Sequence, residues 1–238
     1  MSDLQHRLTI VTGAAGNLGQ AVARAFKAAG SRLTLVDRAP DRLARLFPDW
    51  ASSPDVLLAP SVDLTDVEAV EDMVARTIER FGRVDALINV AGGFRMGKLT
   101  DEDFLEAWDF LFDLNARTAL VASRAVIPLM LEQGGGKIVN VATRAALEGS
   151  ARLAAYSASK SAVVRLTESM SAELKKSGIN VNCVLPSTID TPQNREAMPK
   201  ADYSKWVASE ALADVVLFLA SDAARAVHGA SIPVYGTH

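Results

Sequence analysis

Short β-rich runs alternate with longer helical patterns along the whole chain, and this alternation restricts the fold more than any other feature of the sequence. The strand-like runs are Leu8 to Thr12, Arg32 to Val36, Val56 to Pro60, Ala86 to Asn89, Lys137 to Val141, Asn180 to Leu185 and Ser231 to Val234. Helical spacing fills the gaps: Leu18 to Ala29, Asp41 to Phe47, Val67 to Phe81, about Asp103 to Glu132, about Ala155 to Lys176, and about Ala208 to Leu219. Several strands are continuous apolar runs (LTLV, ALINV, KIVNV), as expected where crossover helices cover both faces of a sheet. The expected fold is α/β, a doubly wound parallel β-sheet with helices on both faces. Right-handed crossovers then bring the functional loops to the carboxyl edge, so chemistry is sought directly after each strand.

Composition narrows the function. The 238 residues are 49% hydrophobic and 22% charged, enough apolar material to close a full core, and no Pro/Gly/Ser-rich linker divides them, so one domain spanning 1–238 is expected. Lys and Arg total 25 against 28 Asp and Glu, a net charge of −3, which provides no cationic field for nucleic acid or anionic lipid. Cys183 is the sole cysteine, which excludes an intrachain disulfide and a multi-thiolate metal site and fits a reducing, cytoplasmic setting. The first apolar run, Leu8 to Val11, is far too short to span a bilayer and no export signal precedes it, so no membrane association is expected. His6, His228 and His238 lack the spacing that puts two ligands on one helical face, and no metal is expected.

Three features carry chemistry. The first is Thr12-Gly13-Ala14-Ala15-Gly16-Asn17-Leu18-Gly19, between the first strand and the first helix. Glycines let a backbone turn tightly and approach a pyrophosphate, and the helix N-terminus offers unpaired N–H groups and partial positive charge. A tight β–α turn with no ligand is the competing reading. Second, Asp37 ends the second strand about 20 residues on, where a carboxylate accepts hydrogen bonds from adenosine ribose hydroxyls and repels a 2′-phosphate. This favours NAD(H) over NADP(H), although the neighbouring Arg38 is able to pair with such a phosphate. Third, Tyr156 and Lys160 lie four residues apart on one helical face, after the KIVNV strand, with Thr143 just past that strand. An ammonium beside a phenol stabilises the phenolate and moves its pKa towards working range, and the Thr143 hydroxyl can hydrogen-bond a reacting oxygen. Together the three residues are able to protonate a carbonyl oxygen as hydride arrives from a nicotinamide, or to reverse that step. An exposed Tyr/Lys pair is the structural alternative.

With these residues in place, the chain resembles the short-chain dehydrogenase/reductase family over essentially its whole length. The matching pieces are TGAAGNLG at 12–19, Asp37, VD at 62–63, NVAG at 89–92, Asn115, Thr143, YSASK at 156–160 and PSTIDT at 186–191. The resemblance implies a single Rossmann-type domain in which Gly13, Gly16, Asn17, Leu18 and Gly19 cradle the dinucleotide, and Asp63 and Leu64 contact the adenine. It also implies that Asn89 to Gly92, including Ala91, line the cofactor cleft, and that Pro186, Ile189 and Thr191 hold the nicotinamide end. Tyr156 is then the general acid/base and a cofactor contact, Lys160 its modulator and ribose ligand, Thr143 the oxyanion partner and Asn115 the anchor of a water relay. Phe94, Arg95, Arg144, Leu147, Arg152, Asn194 and Trp206 fall on loops expected around the open side of the nicotinamide, where each is either a contact for a small-molecule substrate or, the stronger reading, a packing or solvated loop residue.

The sequence departs from the usual family pattern in four places. Asn17 stands where the loop usually has its middle glycine, Thr143 replaces a serine, Ser187 replaces the glycine after Pro186, and the lid from Pro192 to Trp206 is short. That lid, AGGF at 91–94 and RAALEG at 144–149 are similar to quinonoid dihydropteridine reductases, which generally lack the hydroxyl that Thr143 supplies. Two catalytic expectations follow, a carbonyl/alcohol oxidoreductase and a pteridine reductase, beside a non-catalytic NAD(H)-sensing protein. Surplus apolar positions on two helices (Leu120, Val121, Val126, Leu129; Val163, Val164, Leu166) suggest subunit contact, and the resemblance implies a four-helix interface, hence a homodimer or homotetramer.

Overall fold

A computed structural model of the chain describes residues 4–237, so His238 lies outside the described residues. The strands are β1 (Leu8–Thr12), β2 (Arg32–Val36), β3 (Val56–Ala59), β4 (Ala86–Asn89), β5 (Gly136–Val141), β6 (Ile179–Pro186), β7 (Ile189–Asp190), β8 (Val207–Ala208) and β9 (Ser231–Val234). Seven of them form one sheet in the order β3-β2-β1-β4-β5-β6-β9, and every pairing is parallel. The helices are α1 (Asn17–Ala28), α2 (Arg42–Leu46), α3 (Val67–Phe81), α4 (Phe104–Phe112), α5 (Thr118–Glu132), α6 (Ala154–Leu174), α7 (Pro192–Ala197) and α8 (Ser209–Ala220).

The continuous apolar strands have the expected cause. On one face Val22 and Phe26 of α1 and Leu212 and Val216 of α8 pack with Val11, Ile88 and Val139. On the other, Met73 of α3, Val126 of α5 and Leu174 of α6 pack with Ile10, Leu87 and Ile138. Adjacent strand residues therefore enter opposite layers, and neither face of a strand has room for a polar alternation. Strand order reverses between β1 and β4, whose register pairs Thr12 with Asn89. The loops after these two strands part there and open a crevice at the carboxyl edge.

Helix ends follow local chemistry. Asp66 caps α3 by accepting from the Glu68 and Ala69 N–H groups at 2.9 and 3.3 Å, and Gly82 closes it with φ +78°. The helix expected over 103–132 is instead two helices, α4 and α5, separated by one wide π-type turn over Asp113–Arg117. Nothing in the apolar spacing marks that turn; a buried side chain explains it, as shown below. The stretch Phe104–Glu132 is long and apolar enough to cross a bilayer, but half of its most apolar window is buried inside the protein. The helix expected over 41–47 shortens to α2, after which Phe47 stacks on Trp50. The lid gains structure that the sequence reading omitted: β7 and β8 pair as a two-residue ribbon that brackets α7.

Packing of α1 against the glycine loop leaves no room for a side chain at Gly19, where a Cβ would fall on the Gly13 carbonyl and lie 2.8 Å from the Ala14 Cα. A Gly19→Ala substitution is expected to destabilise the fold by about 1–3 kcal/mol, seen as a lower urea midpoint at unchanged m-value. Gly149→Ala, with nothing within 4 Å of its added carbon, is the neutral control; equal midpoints for the two variants would contradict the packing described.

Candidate active site

The crevice is a cleft of about 1200 Å³ running along the carboxyl edge from Asp37 and Asp63 at one end to Thr143, Tyr156 and Tyr235 at the other. The glycine loop forms its near wall. Gly13 sits at φ +61°, and a Cβ there would lie 2.8 Å from the Ala91 Cα, so the two loops approach as closely as backbone allows. The Thr12 hydroxyl fixes this approach by accepting from the N–H groups of Val90 and Ala91 at 3.1 and 3.2 Å. Gly16 begins α1 without any side-chain cap, and the first turn carries no acidic residue, so the helix N-terminus faces the cleft with its N–H groups uncovered by side chains. Gly16, Asn17, Leu18 and Gly19 all line it.

At the far end of this wall Asp37 accepts from the Ala15 N–H through Oδ2 and from the Ala39 N–H through Oδ1, both at 3.0 Å. These bonds orient the carboxylate and leave a lone pair on each oxygen. Asp63 accepts from the Thr65 hydroxyl and N–H, which hold its carboxyl below the ordinary carboxylate range, with a further contribution from the Arg38 charge. Leu64, Arg38 and Arg42 complete this end.

Asn89 and Asn115 do not point into the cleft. Asn89 is buried, donating to the Ser123 hydroxyl and to Asn140 Oδ1 at 3.1 and 2.8 Å, so it braces β4 to β5 and α5. Asn115 stands in the wide turn and is 1% exposed. Its Oδ1 accepts from the Gly93 N–H at 2.8 Å, and its Nδ2 donates to the Gly93 carbonyl at 3.2 Å and to the Ser159 hydroxyl at 3.0 Å. A Cβ on Gly92 would meet Asn115 Oδ1 at 2.8 Å and Lys160 Nζ at 3.0 Å, which explains the glycine.

Tyr156, Lys160 and Thr143 come together at the other end of the cleft. Lys160 Nζ donates to the Val141 carbonyl at 2.8 Å and is almost wholly enclosed. Burial pushes its pKa down to about 8, against a smaller opposing influence of Cys183. Tyr156 is pushed above the ordinary phenol value by burial, opposed by its hydrogen bond with Thr143. The expected lowering of the phenol by the ammonium is therefore not what this geometry gives: desolvation acts on both groups, and the lysine faces a backbone carbonyl. The Thr143 hydroxyl makes only long contacts to the protein backbone, 3.5 Å to the Pro186 carbonyl and 3.4 Å from the Ala145 N–H.

Around the mouth, Phe94 meets Tyr156 edge-on, with centroids 4.8 Å apart and rings at 84°. Arg144 lies over the Tyr235 ring, and Leu147 and Asn194 also line the cleft. Thr191 caps α7 by accepting from the Asn194 N–H, while the Asn194 amide donates to the Ile189 carbonyl. Trp206 corrects the sequence reading: it is 9% exposed, packs on Tyr203 and does not line the cleft, because β8 carries the chain inward there. Arg95 stacks on Phe110 at 3.9 Å, and neither Arg95 nor Arg152 lines the cleft. Tyr235 was missed, although it directly follows the last strand, where the carboxyl-edge rule applies.

The family model for short chain dehydrogenases matches residues 7–202. The chain belongs to the short-chain dehydrogenase/reductase family. This short-chain dehydrogenase is similar to 2-(R)-hydroxypropyl-CoM dehydrogenase of Xanthobacter autotrophicus, with 33% identity over 98% of each chain. It is 34% identical to an uncharacterised oxidoreductase of Staphylococcus haemolyticus over 92% of each chain. A solved short-chain dehydrogenase/reductase from Mycobacterium ulcerans superposes with a TM-score of 0.92 at 30% identity, over 100% of this chain and 90% of that one. This dehydrogenase is thus an oxidoreductase of a family that uses nicotinamide cofactors. Its residues fit such a dinucleotide: the glycine loop, Asp37 and Asp63 line one continuous cleft, and the uncapped α1 N-terminus suits a diphosphate.

The buried lysine has a measurable consequence. In the folded protein its pKa is about 8, against an ordinary 10.5 in the unfolded chain. Between those values the unfolded chain binds more protons, so the contribution of this lysine to stability rises with pH. Lys160→Met keeps the side-chain length and removes the charge; its stability relative to the native protein is expected to fall on the order of 3 kcal/mol from pH 7 to pH 10. A relative stability independent of pH would mean that the ammonium is not desolvated.

Proposed function

We propose that this dehydrogenase transfers hydride between NAD(H) and a small carbonyl or alcohol substrate. The observation that carries the reading is the meeting of Tyr156, Thr143 and Lys160 at one end of a cleft whose other end is a glycine loop and a carboxylate. When bound, the cofactor supplies or accepts the hydride at its nicotinamide ring.

The chain's own residues do the rest. Asp37, already oriented by two backbone N–H groups, accepts from the ribose hydroxyls and disfavours a 2′-phosphate, while Asp63 and Leu64 flank the adenine. Asn89 acts through the backbone it braces, and Ala91 and Gly92 form the floor. Pro186, Ile189 and Thr191 hold the carboxamide side. The Tyr156 phenol gives its proton to the carbonyl oxygen in reduction and takes it back in oxidation. Desolvation favours its neutral, proton-bearing form. Thr143, whose backbone contacts are weak and whose hydroxyl pairs with Tyr156, donates to the same oxygen once substrate is bound. Lys160 supplies positive charge below about pH 8 and reaches the ribose once released from Val141, and Asn115 holds the relay end of the site through Gly93 and Ser159.

Phe94, Leu147, Arg144 and Asn194 border the substrate. A second reading, reduction of a quinonoid dihydropterin, draws on one observation, the exposed Phe94 ring standing edge-on to Tyr156, a wall suited to a planar conjugated acceptor. A non-catalytic NAD(H) sensor would leave the Thr143 and Tyr156 pairing without a purpose. The reading also includes a homodimer or homotetramer, supported by Leu105, Leu120 and Leu131, which stand exposed on α4 and α5, whereas Val126, Val163 and Val164, expected at such a contact, are buried in the protein's own core. A cytoplasmic location fits the single buried, unpaired Cys183.

Tyr156→Phe removes the proton and keeps the ring. Its turnover of a ketone substrate is expected to fall about 100- to 10,000-fold while NADH affinity, titrated by fluorescence, is unchanged. Full turnover in this variant would overturn the mechanism.

A further inference from the structure

Asn17 is a glycine-loop residue that lines the cleft, and its side chain reaches the lid segment. It occupies the first position of α1, and its Nδ2 donates to Gln193 Oε1 at 2.5 Å. Gln193 belongs to the first turn of α7, 176 residues further along the chain. The bond closes a ring: glycine loop, Asn17, Gln193, α7, β7, and back through the sheet.

The far end of that ring is firmly anchored. A six-residue helix has no stability of its own, and α7 is held by its Thr191 cap, by the Asn194 amide on the Ile189 carbonyl, and by the Arg195 guanidinium on both oxygens of Asp190 at 2.6 and 2.7 Å. Arg195 also lies over the Tyr203 ring. All of these contacts tie α7 to its own lid segment. Among the described residues, the Asn17 bond is the side-chain hydrogen bond that ties α7 to the glycine loop, at the place where the α1 N-terminus offers its N–H groups to an anion.

We infer that the Asn17–Gln193 bond is a strap across the diphosphate seat that sets how fast the dinucleotide leaves. The inference rests on the cofactor reading above and concerns its release. A glycine at position 17 has no side chain to make such a bond, so the strap accounts for the asparagine that the loop pattern left unexplained. The bond is solvent-exposed. An exposed amide–amide hydrogen bond contributes little net, worth roughly a two- to tenfold change in a rate or equilibrium constant. That magnitude suits a gate that opens on each cycle and would be useless as a permanent lock.

Two readouts test it. NADH release, followed by stopped-flow fluorescence after displacement with excess NAD, is expected to be about two- to tenfold faster in Asn17→Gly and in Gln193→Ala, and no faster in the double variant than in either single one. In the free protein, hydrogen exchange of the amides at 193–198 is expected to speed up in both single variants, which needs no bound cofactor. Unchanged release rates, or single effects that multiply in the double variant, would overturn the strap. Failure of the native protein to bind NADH would overturn the cofactor reading, while the exchange of α7 would still decide whether Asn17 restrains the lid.

Discussion

The side-chain amide of Asn115 joins three segments that are far apart in the sequence, and the catalytic end of the cleft depends on it. It grips both the N–H and the carbonyl of Gly93 and donates to Ser159, one residue before Lys160. A buried amide must satisfy its donors and its acceptor, and here the loop after β4 and the helix α6 provide the partners. The wide turn at Asp113–Arg117 is the backbone's accommodation to that demand, since an unbroken α-helix would aim residue 115 differently. The Ser159 hydroxyl in turn donates to the Tyr156 carbonyl at 2.9 Å, so a single network links the loop below Phe94 to both chemical residues on α6.

Behind this network the sheet carries polar groups unusual for a layer so apolar. Asn89 donates to Asn140 and Ser123, and Asn140 donates to Thr167 on α6 at 2.8 Å. These bonds lock β4, β5, α5 and α6 into one register just beneath the cleft. Lys160 itself is buried, and in that poorly hydrated setting its charge is expensive and the neutral phenol of Tyr156 is favoured. The electrostatic character of the site is therefore set by packing, with Lys160 held on the Val141 carbonyl.

The sheet was legible because its signal is repeated: several strands are continuous apolar runs and helical periods fill the connections between them. The glycine loop was also legible, since Gly13 and Gly19 stand where backbone geometry leaves no room for a side chain. The wide turn at Asn115 was not, because it answers to a tertiary hydrogen bond and has no local spacing. Nor was the β7–β8 ribbon, two residues long, or the burial of Trp206, since an aromatic on a presumed lid reads equally as a substrate wall or as the lid's own small core. Tyr235 was within reach of the strand-end rule. The asparagine at position 17 was noticed as a departure, but its partner could be found only in three dimensions.

The central claim is that the Tyr156, Thr143 and Lys160 cluster reduces a carbonyl at the expense of NADH. The most direct measurement is the steady-state loss of reduced-nicotinamide absorbance by the native enzyme, with small ketones and with freshly generated quinonoid dihydropterin, each corrected for the enzyme-free rate. Saturable turnover of a ketone, faster with NADH than with NADPH, is the expected result. Turnover confined to the dihydropterin, or NADH bound and never consumed with any acceptor, would contradict it.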